Sequence, residues 1–427
     1  MNFGFSYSDA KNPIEAAKKE FFSSFGNEFE WFFNILNLVR NVKRDYGVSI
    51  TDVLIKREMY PLFGILKNFF DPQVVFDVRL EKITGIQIRS FVEKYFDVAR
   101  GYRARTLGDE FFQKRKTKSF DFALAFYGLG VFRVNFSMDN EGEVLNIRCL
   151  DFVIPELEKL IFDWDVEEIG FLTGEKSDKK RAFQVGAHRK MLYEFITKGF
   201  FEERILNLEK ARVPVNVVKE GGLVLHAGPT GSGKTTFIAS ELLYLAENIA
   251  GLIVTYEKPI EYRFLKMPKV LQYELGVHID EDEVYRHFLR NSPAVGFYHE
   301  IRDRSEFLQV LDLASRGHLI FTTMHASTVI DVFSSFACFE DEVKQLFCNV
   351  LRGIICHKLL TTKTGKIVPA YEYFLVQKGM AKADVVYSIF LKNEMVKLKT
   401  FLYEERGYPG FVPFEVFERE VKEDKVE

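Results

Sequence analysis

One short stretch constrains this chain more than any other. Gly228-Pro229-Thr230-Gly231-Ser232-Gly233-Lys234-Thr235-Thr236 contains a complete G-x-x-x-x-G-K-[ST] pattern. The apolar run Gly222-Leu223-Val224-Leu225 precedes it, and residues 237–246 carry apolar side chains at helical spacing. A strand, a glycine-rich turn and a helix N-terminus in that order make a phosphate cradle. The glycines let backbone N–H groups face inward, and the first helical turn adds partial positive charge. Lys234 is placed to reach the β- and γ-phosphates of a nucleoside triphosphate, and the Thr235 hydroxyl to ligate Mg²⁺. All of Gly228 to Thr236 are candidate nucleotide contacts.

The chain has 427 residues, enough for two or three domains at ~150 residues each. It is 47% apolar and 28% charged, an ordinary balance for a protein with a sizeable core. Its 44 phenylalanines read as core filling. A net charge of −3 leaves no general nucleic-acid footprint. The first eleven residues lack a basic region followed by a long apolar one, and no run approaches the ~18 apolar residues of a membrane span. A cytoplasmic protein is expected. The four cysteines, Cys149, Cys338, Cys348 and Cys356, form no C-x-x-C, which argues against a zinc ribbon and a disulfide framework. Cys348 and Cys356 read as core thiols in an apolar helical stretch.

Along the chain, residues 1–45 read as an N-terminal helical extension, with an amphipathic segment near 28–39 that packs on the next domain. Residues 46–155 read as a smaller α+β domain. It has a strand over 48–55, a helix over 84–95, and a hairpin of 130–136 and 144–148 around the turn at 139–142. Residues 156–220 read as a charged helical connector, with a turn at 173–177 and a boundary at Pro214 and Gly221-Gly222. Residues 221–427 alternate buried strands, at 223–226, 252–256, 294–298 and 319–323, with helices such as 280–290 and 305–314. That alternation predicts a parallel sheet covered by helices, with C-terminal helices beyond it and a solvated tail at 418–427. Ligands of such sheets sit at the C-terminal strand ends. The polar groups there are Glu257 and Glu261 after the second strand, Glu300 after the third, and His325 after the fourth, with His318 at that strand's start. Carboxylates in such places hold Mg²⁺ waters or orient an attacking water.

In this order the pieces resemble the type II/IV secretion and type IV pilus ATPases, nearest the PilT-like retraction or type IV secretion members. The matching stretches are Gly228 to Thr235; Glu257-Lys258-Pro259-Ile260-Glu261-Tyr262; His299-Glu300-Ile301-Arg302-Asp303; and Arg316-Gly317-His318 through to His325. Gln272-x-Glu274-x-Gly276 and 289–293 also look like that family. The resemblance implies a RecA-like P-loop domain preceded by a PAS-like α+β domain. It implies ATP and Mg²⁺ as cofactors, and a homohexamer whose domain rotation drives a pilus or secretion machine through an inner-membrane platform protein. It places the protein at the cytoplasmic face of that membrane, peripheral to it. It also implies catalytic roles for Glu257 and Glu300, a γ-phosphate-sensing role for His325, and Mg²⁺ held by Thr235 and, through water, by Glu300. Which of Glu257 and Glu300 is the base stays open.

Arg133 and Arg148 resemble the hairpin arginines that reach the nucleotide across a domain or subunit boundary. The tetracysteine zinc region of assembly-type members is absent, and the retraction-type C-terminal motif is not recognisable at 380–387. Lys258, His299 and Val131 stand where the family has Asp, Gly and Arg. Those departures motivate the alternative of a weakly hydrolysing regulatory subunit. A RecA-like nucleic-acid motor is a further alternative, which the net charge opposes.

Overall fold

The computed structural model describes residues 13–46, 50, 52–65, 68–76, 78–103, 119–126, 130–150, 154–162, 179–208, 211–264, 267–362, 367–376 and 383–423. Residues 48, 49 and 51 of the first expected strand, the turn at 173–177 and the last four residues of the tail lie outside them. The chain divides into two compact units. The first is Met1–Val153 with the segments Lys258–Arg263 and Glu274–Asp280; the second is Ile154–Glu257, Phe264–Tyr273 and Glu281–Glu427.

The first unit opens with helices α1 (Pro13–Phe25) and α2 (Glu30–Tyr46). Strands β1 (Asp52–Lys56), β2 (Leu62–Ile65) and β3 (Asn68–Phe70) come next, then helices α3 (Pro72–Phe76) and α4 (Gly85–Arg103). Strands β4 (Ser119–Phe126), β5 (Gly130–Met138) and β6 (Glu143–Leu150) complete it. The six strands form an antiparallel sheet in the order β3-β2-β1-β6-β5-β4. On α2, Phe32, Phe33, Ile35, Leu36, Val39 and Val42 recur at helical spacing and are buried. Phe32 stacks on Phe91 of α4 with ring centroids 4.0 Å apart, and Phe21 of α1 meets Phe126 of β4. A buried phenylalanine of this kind is worth about 3–5 kcal/mol against alanine. The segment read as a separate extension therefore shares one core with the sheet.

The second unit holds helices α5 (Leu157–Phe162) and α6 (Lys179–Lys198), then strands β7 (Phe201–Leu208) and β8 (Ala211–Val218). Next come β9 (Gly222–Ala227), α7 (Lys234–Asn248), β10 (Ile253–Glu257) and β11 (Val270–Glu274), whose last residue clusters with the first unit. After them stand helix α8 (Val284–Asn291), β12 (Val295–Tyr298), α9 (Arg304–Ser315) and β13 (Leu319–Met324). The remainder is α10 (Val329–Phe336), α11 (Asp341–Val350), β14 (Leu351–Thr361), β15 (Ile367–Leu375), α12 (Ala383–Leu391), α13 (Met395–Lys399), β16 (Phe411–Val412) and α14 (Phe414–Glu423).

Eight of these strands make one sheet in the order β11-β10-β12-β13-β9-β14-β15-β16. β10, β12, β13, β9 and β14 run parallel, while β15 and β16 are antiparallel additions. Every residue of β9, β10, β12 and β13 is buried, as in a sheet covered on both faces. A RecA-like α/β core with a smaller N-terminal domain is thus the fold. Helix α14 is fastened to α6 by a buried ion cluster. Arg189 donates to Glu420 Oε2 through Nε and Nη2 at 3.0 and 2.7 Å, and His188 Nε2 lies 2.9 Å from Glu420 Oε1.

Three expectations are corrected. Residues 201–218, assigned to a helical connector, form the antiparallel hairpin β7–β8. Val213, Val215 and Val217 alternate with Arg212, Pro214 and Asn216, a strand period that the charges of Glu202, Glu203 and Arg204 disguise. Pro214 is tolerated because both strands of a two-stranded sheet are edges. Cys356 lies on β14, not in a helix, since α11 runs straight into that strand with no turn residue between them. Both Cys348 and Cys356 are buried, which raises their thiol pKa, Cys348 to about 12. Lastly, β11, β14, β15 and β16 stand outside the four expected strands; the stretch beyond 324 is not purely helical.

Candidate functional site

The phosphate loop joins β9 to α7. Gly228, Gly231 and Gly233 have φ of 150°, 80° and 90°. These left-handed or extended-positive values turn successive amides toward one side, an anion-binding concavity. Phe237 N–H donates to Gly233 O at 3.0 Å, which starts the helix at Lys234. Lys234 Nζ donates to Gly228 O at 2.6 Å and to Pro229 O at 3.1 Å, so the ammonium already sits over the loop. Thr235, in the first turn of α7, is half-buried.

Gly228 is the tightest point. A Cβ there would lie 2.6 Å from Ser232 Oγ and 2.8 Å from the main-chain O of His357. Gly228→Ala is expected to lower stability by about 2–4 kcal/mol, through overpacking and backbone strain together. A fall in melting temperature by scanning fluorimetry checks it.

Glu257 ends β10 and is buried. Its Oε1 accepts from Thr255 Oγ1 at 2.6 Å and from Gln272 Nε2 at 3.0 Å. Thr255 and Glu257 share a face because strand side chains repeat every two residues. Gln272, on β11, is fixed in turn by Phe264 N–H donating to its Oε1 at 3.0 Å. In sequence Gln272 stands inside a family-like stretch that gives no sign of this task.

Glu300 lies two residues beyond β12. His325 Nε2 lies 2.8 Å from Glu300 Oε1, and Arg302 Nε donates to Glu300 Oε2 at 3.1 Å. His325, just past β13, has a side chain 57% exposed against 17% for Glu300. Thr323 Oγ1 donates to His299 O at 2.5 Å and Ile301 N–H to Thr323 O at 2.8 Å, which hold the Glu300 turn against β13. Asp303 caps α9 by accepting from Glu306 N–H at 3.0 Å. His318, at the other end of β13, donates through Nδ1 to Pro293 O at 2.6 Å. It braces the sheet and has no part in the cluster around Glu300.

In the first unit, Arg133 on β5 and Arg148 on β6 are direct cross-strand partners, and Asp52 on β1 lies directly opposite Arg148. Facing like charges repel, so each needs a carboxylate. Arg148 Nε lies 3.6 Å from Asp52 Oδ1; Arg133 Nη1 donates to Glu261 Oε1 at 3.3 Å.

Residues 188–385 match the family described as "Type II/IV secretion system protein". The type IV pilus ATPase PilU of Pseudomonas aeruginosa is 31% identical over 223 residues, 49% of this chain and 57% of the relative. The type IV pilus retractation ATPase PilT of the same organism is 34% identical over 166 residues, 36% of this chain and 47% of the relative. The chain spans about half the length of the curated relatives it matches. Among solved structures, the pilus retraction motor PilT with bound ADP superposes with a TM-score of 0.57 over 91% of this chain and 97% of that one, at 22% identity. That likeness is one of fold. The likeness to that family thus lies in residues 188–385, which carry the phosphate loop, Glu257, Glu300 and His325.

Proposed function

We propose that this chain is an ATP-hydrolysing motor of a type IV pilus or a type II/IV secretion machine. It works as a homohexamer at the cytoplasmic face of the inner membrane, against a platform protein. One observation carries the reading: the C-terminal ends of neighbouring parallel strands present the phosphate loop from β9, His325 from β13 and Glu300 from beyond β12. Neighbouring strands lie ~4.8 Å apart, so β12 is ~10 Å from β9 and β10, with Glu257, is ~14 Å away.

The residues present fit a Mg²⁺-bound nucleotide: inward loop amides at a helix N-terminus, a lysine over them, a first-turn threonine and two anchored carboxylates. When bound, Mg²⁺ neutralises charge on the transferring phosphoryl group. Lys234 and the loop N–H groups would hold the phosphates, and the Thr235 hydroxyl would be a ligand of the metal. Glu300, on the nearer acidic strand, orients the attacking water, with His325 and Arg302 fixing its carboxylate. Glu257, on the farther strand, would help hold the metal through water. Arg133 or Arg148 adds positive charge at the γ-phosphoryl oxygens.

Lys234→Ala is expected to lower ATP turnover by about 100-fold, because one charge-assisted bond to phosphate is lost at about 1.5–3 kcal/mol along with its electrostatic stabilisation of the transition state. Steady-state hydrolysis by the purified full chain checks it; unchanged activity would remove the assignment. ATP binding by the wild type without turnover above the Lys234→Ala level would instead make the chain a regulatory subunit.

A further inference from the structure

Beneath the phosphate loop, three ionisable side chains from three elements meet in the core. Glu241 is on α7, the helix after the loop; His226 is on β9, the strand before it; His357 is on β14, the strand beside it. Glu241 and His226 are 0% exposed and His357 is 2% exposed. His226 Nε2 lies 3.0 Å from Glu241 Oε2, and His226 Nδ1 lies 2.9 Å from His357 Nε2. Phe237 and Tyr371 pack on the His357 ring, with centroids 5.1 and 5.5 Å away. The carbonyl of His357 itself abuts Gly228.

Burial raises the Glu241 carboxyl pKa, which His226 opposes. Burial, with help from His226 and Lys234, holds the His357 pKa well below its usual value. His357 is therefore uncharged at neutral pH, and the contact at its Nε2 is a hydrogen bond between rings.

Stability does not account for this arrangement. A buried cluster of titratable groups is commonly no better than apolar residues of the same volume, which would pack here against Phe237 and Tyr371. Close polar contacts, one of them a hydrogen bond between rings, add a fixed spacing, and the three elements spaced are those that bound the loop.

Resting on the nucleotide-binding reading above, we propose that Glu241, His226 and His357 are positioning residues. They tie the strand before the phosphate loop, the helix after it and the strand beside it into one spacing, and so hold the loop in its phosphate-binding shape.

The test measures amide hydrogen exchange of peptides spanning 223–240 without nucleotide, and equilibrium titration with fluorescently labelled ADP, both on the full chain. Glu241→Leu is expected to speed exchange in those peptides and raise the ADP Kd by about tenfold each, the loss of the buried polar contact with His226. Glu241→Gln keeps an acceptor for His226 and is expected to restore both measurements to within about threefold of wild type. Unchanged exchange and Kd in the leucine variant would overturn the proposal, as would a glutamine variant no better than leucine. If Glu241→Leu does not fold, His357→Phe, which keeps the ring packing and removes the bond to His226, decides by the same two measurements. Faster exchange alongside equal ADP binding by wild type and Lys234→Ala upholds the positioning role and rejects the nucleotide reading instead.

Discussion

Glu300→Gln is expected to lower ATP turnover by about 10³-fold, or about 4 kcal/mol in the barrier, while ADP binds within about threefold of wild type. The reason lies in the two donors around this carboxylate. His325 approaches Oε1 and Arg302 donates to Oε2. A glutamine offers an oxygen to only one of them and must turn its NH₂ toward the other, so both the negative charge and the geometry are lost. Glu257→Gln is expected to cost less, about 10–100-fold. Both of the Thr255 and Gln272 bonds fall on Oε1, and a glutamine carbonyl oxygen can accept both. Turnover by a coupled assay and ADP titration of the two variants side by side provide the check. If Glu257→Gln proves the more damaged, the roles of the two carboxylates are exchanged.

Arg133→Ala is expected to lower turnover by about 10³-fold, the lower end of what an arginine at the γ-phosphoryl contributes, and Arg148→Ala by less than about tenfold. The distinction comes from the sheet. Arg148 faces both Arg133 and Asp52 across adjacent strands, and Asp52 is the carboxylate that balances the row. Arg133 instead reaches Glu261, only four residues after Glu257, within the motif just past β10. Removing Arg148 leaves Arg133 with its carboxylate and without a repelling neighbour. Single-turnover rates at saturating ATP measure the step directly. Equal losses in the two variants, or none in Arg133→Ala, would rule this assignment out.

The four parallel strands that carry site residues were legible because each is a short, nearly unbroken apolar run, as strands buried on both faces must be. Glu257, Glu300 and His325 were visible as site residues because each stands within two residues after such a run. Their partners were less so. Nothing local announces that Gln272 serves Glu257, and the contact depends on β11 folding back beside β10. The meeting of His226 with His357 spans 131 positions and arises only from β9 and β14 being neighbours.

β15 was hidden for a different reason. It contains Pro369 and Glu372, which read as poor strand residues. Glu372 is nonetheless buried, and it accepts from Val329 N–H at the start of α10 and from the Tyr403 hydroxyl, at 2.7 and 2.5 Å. A carboxylate spent on capping a distant helix looks, in sequence, like a surface charge.

The cluster of His188, Arg189 and Glu420 has a consequence in time. Arg189 and its carboxylate are separated by 231 positions. At about 5–20 residues per second, a ribosome needs about 10–50 s to make that span. Through that interval α6 exists without the anion that neutralises Arg189 in the finished core, and burying that cation alone is unfavourable. The face of α6 that Glu420 covers is thus kept in water until α14 emerges. Closure of this domain over Arg189 is therefore expected only after Glu420 has been made.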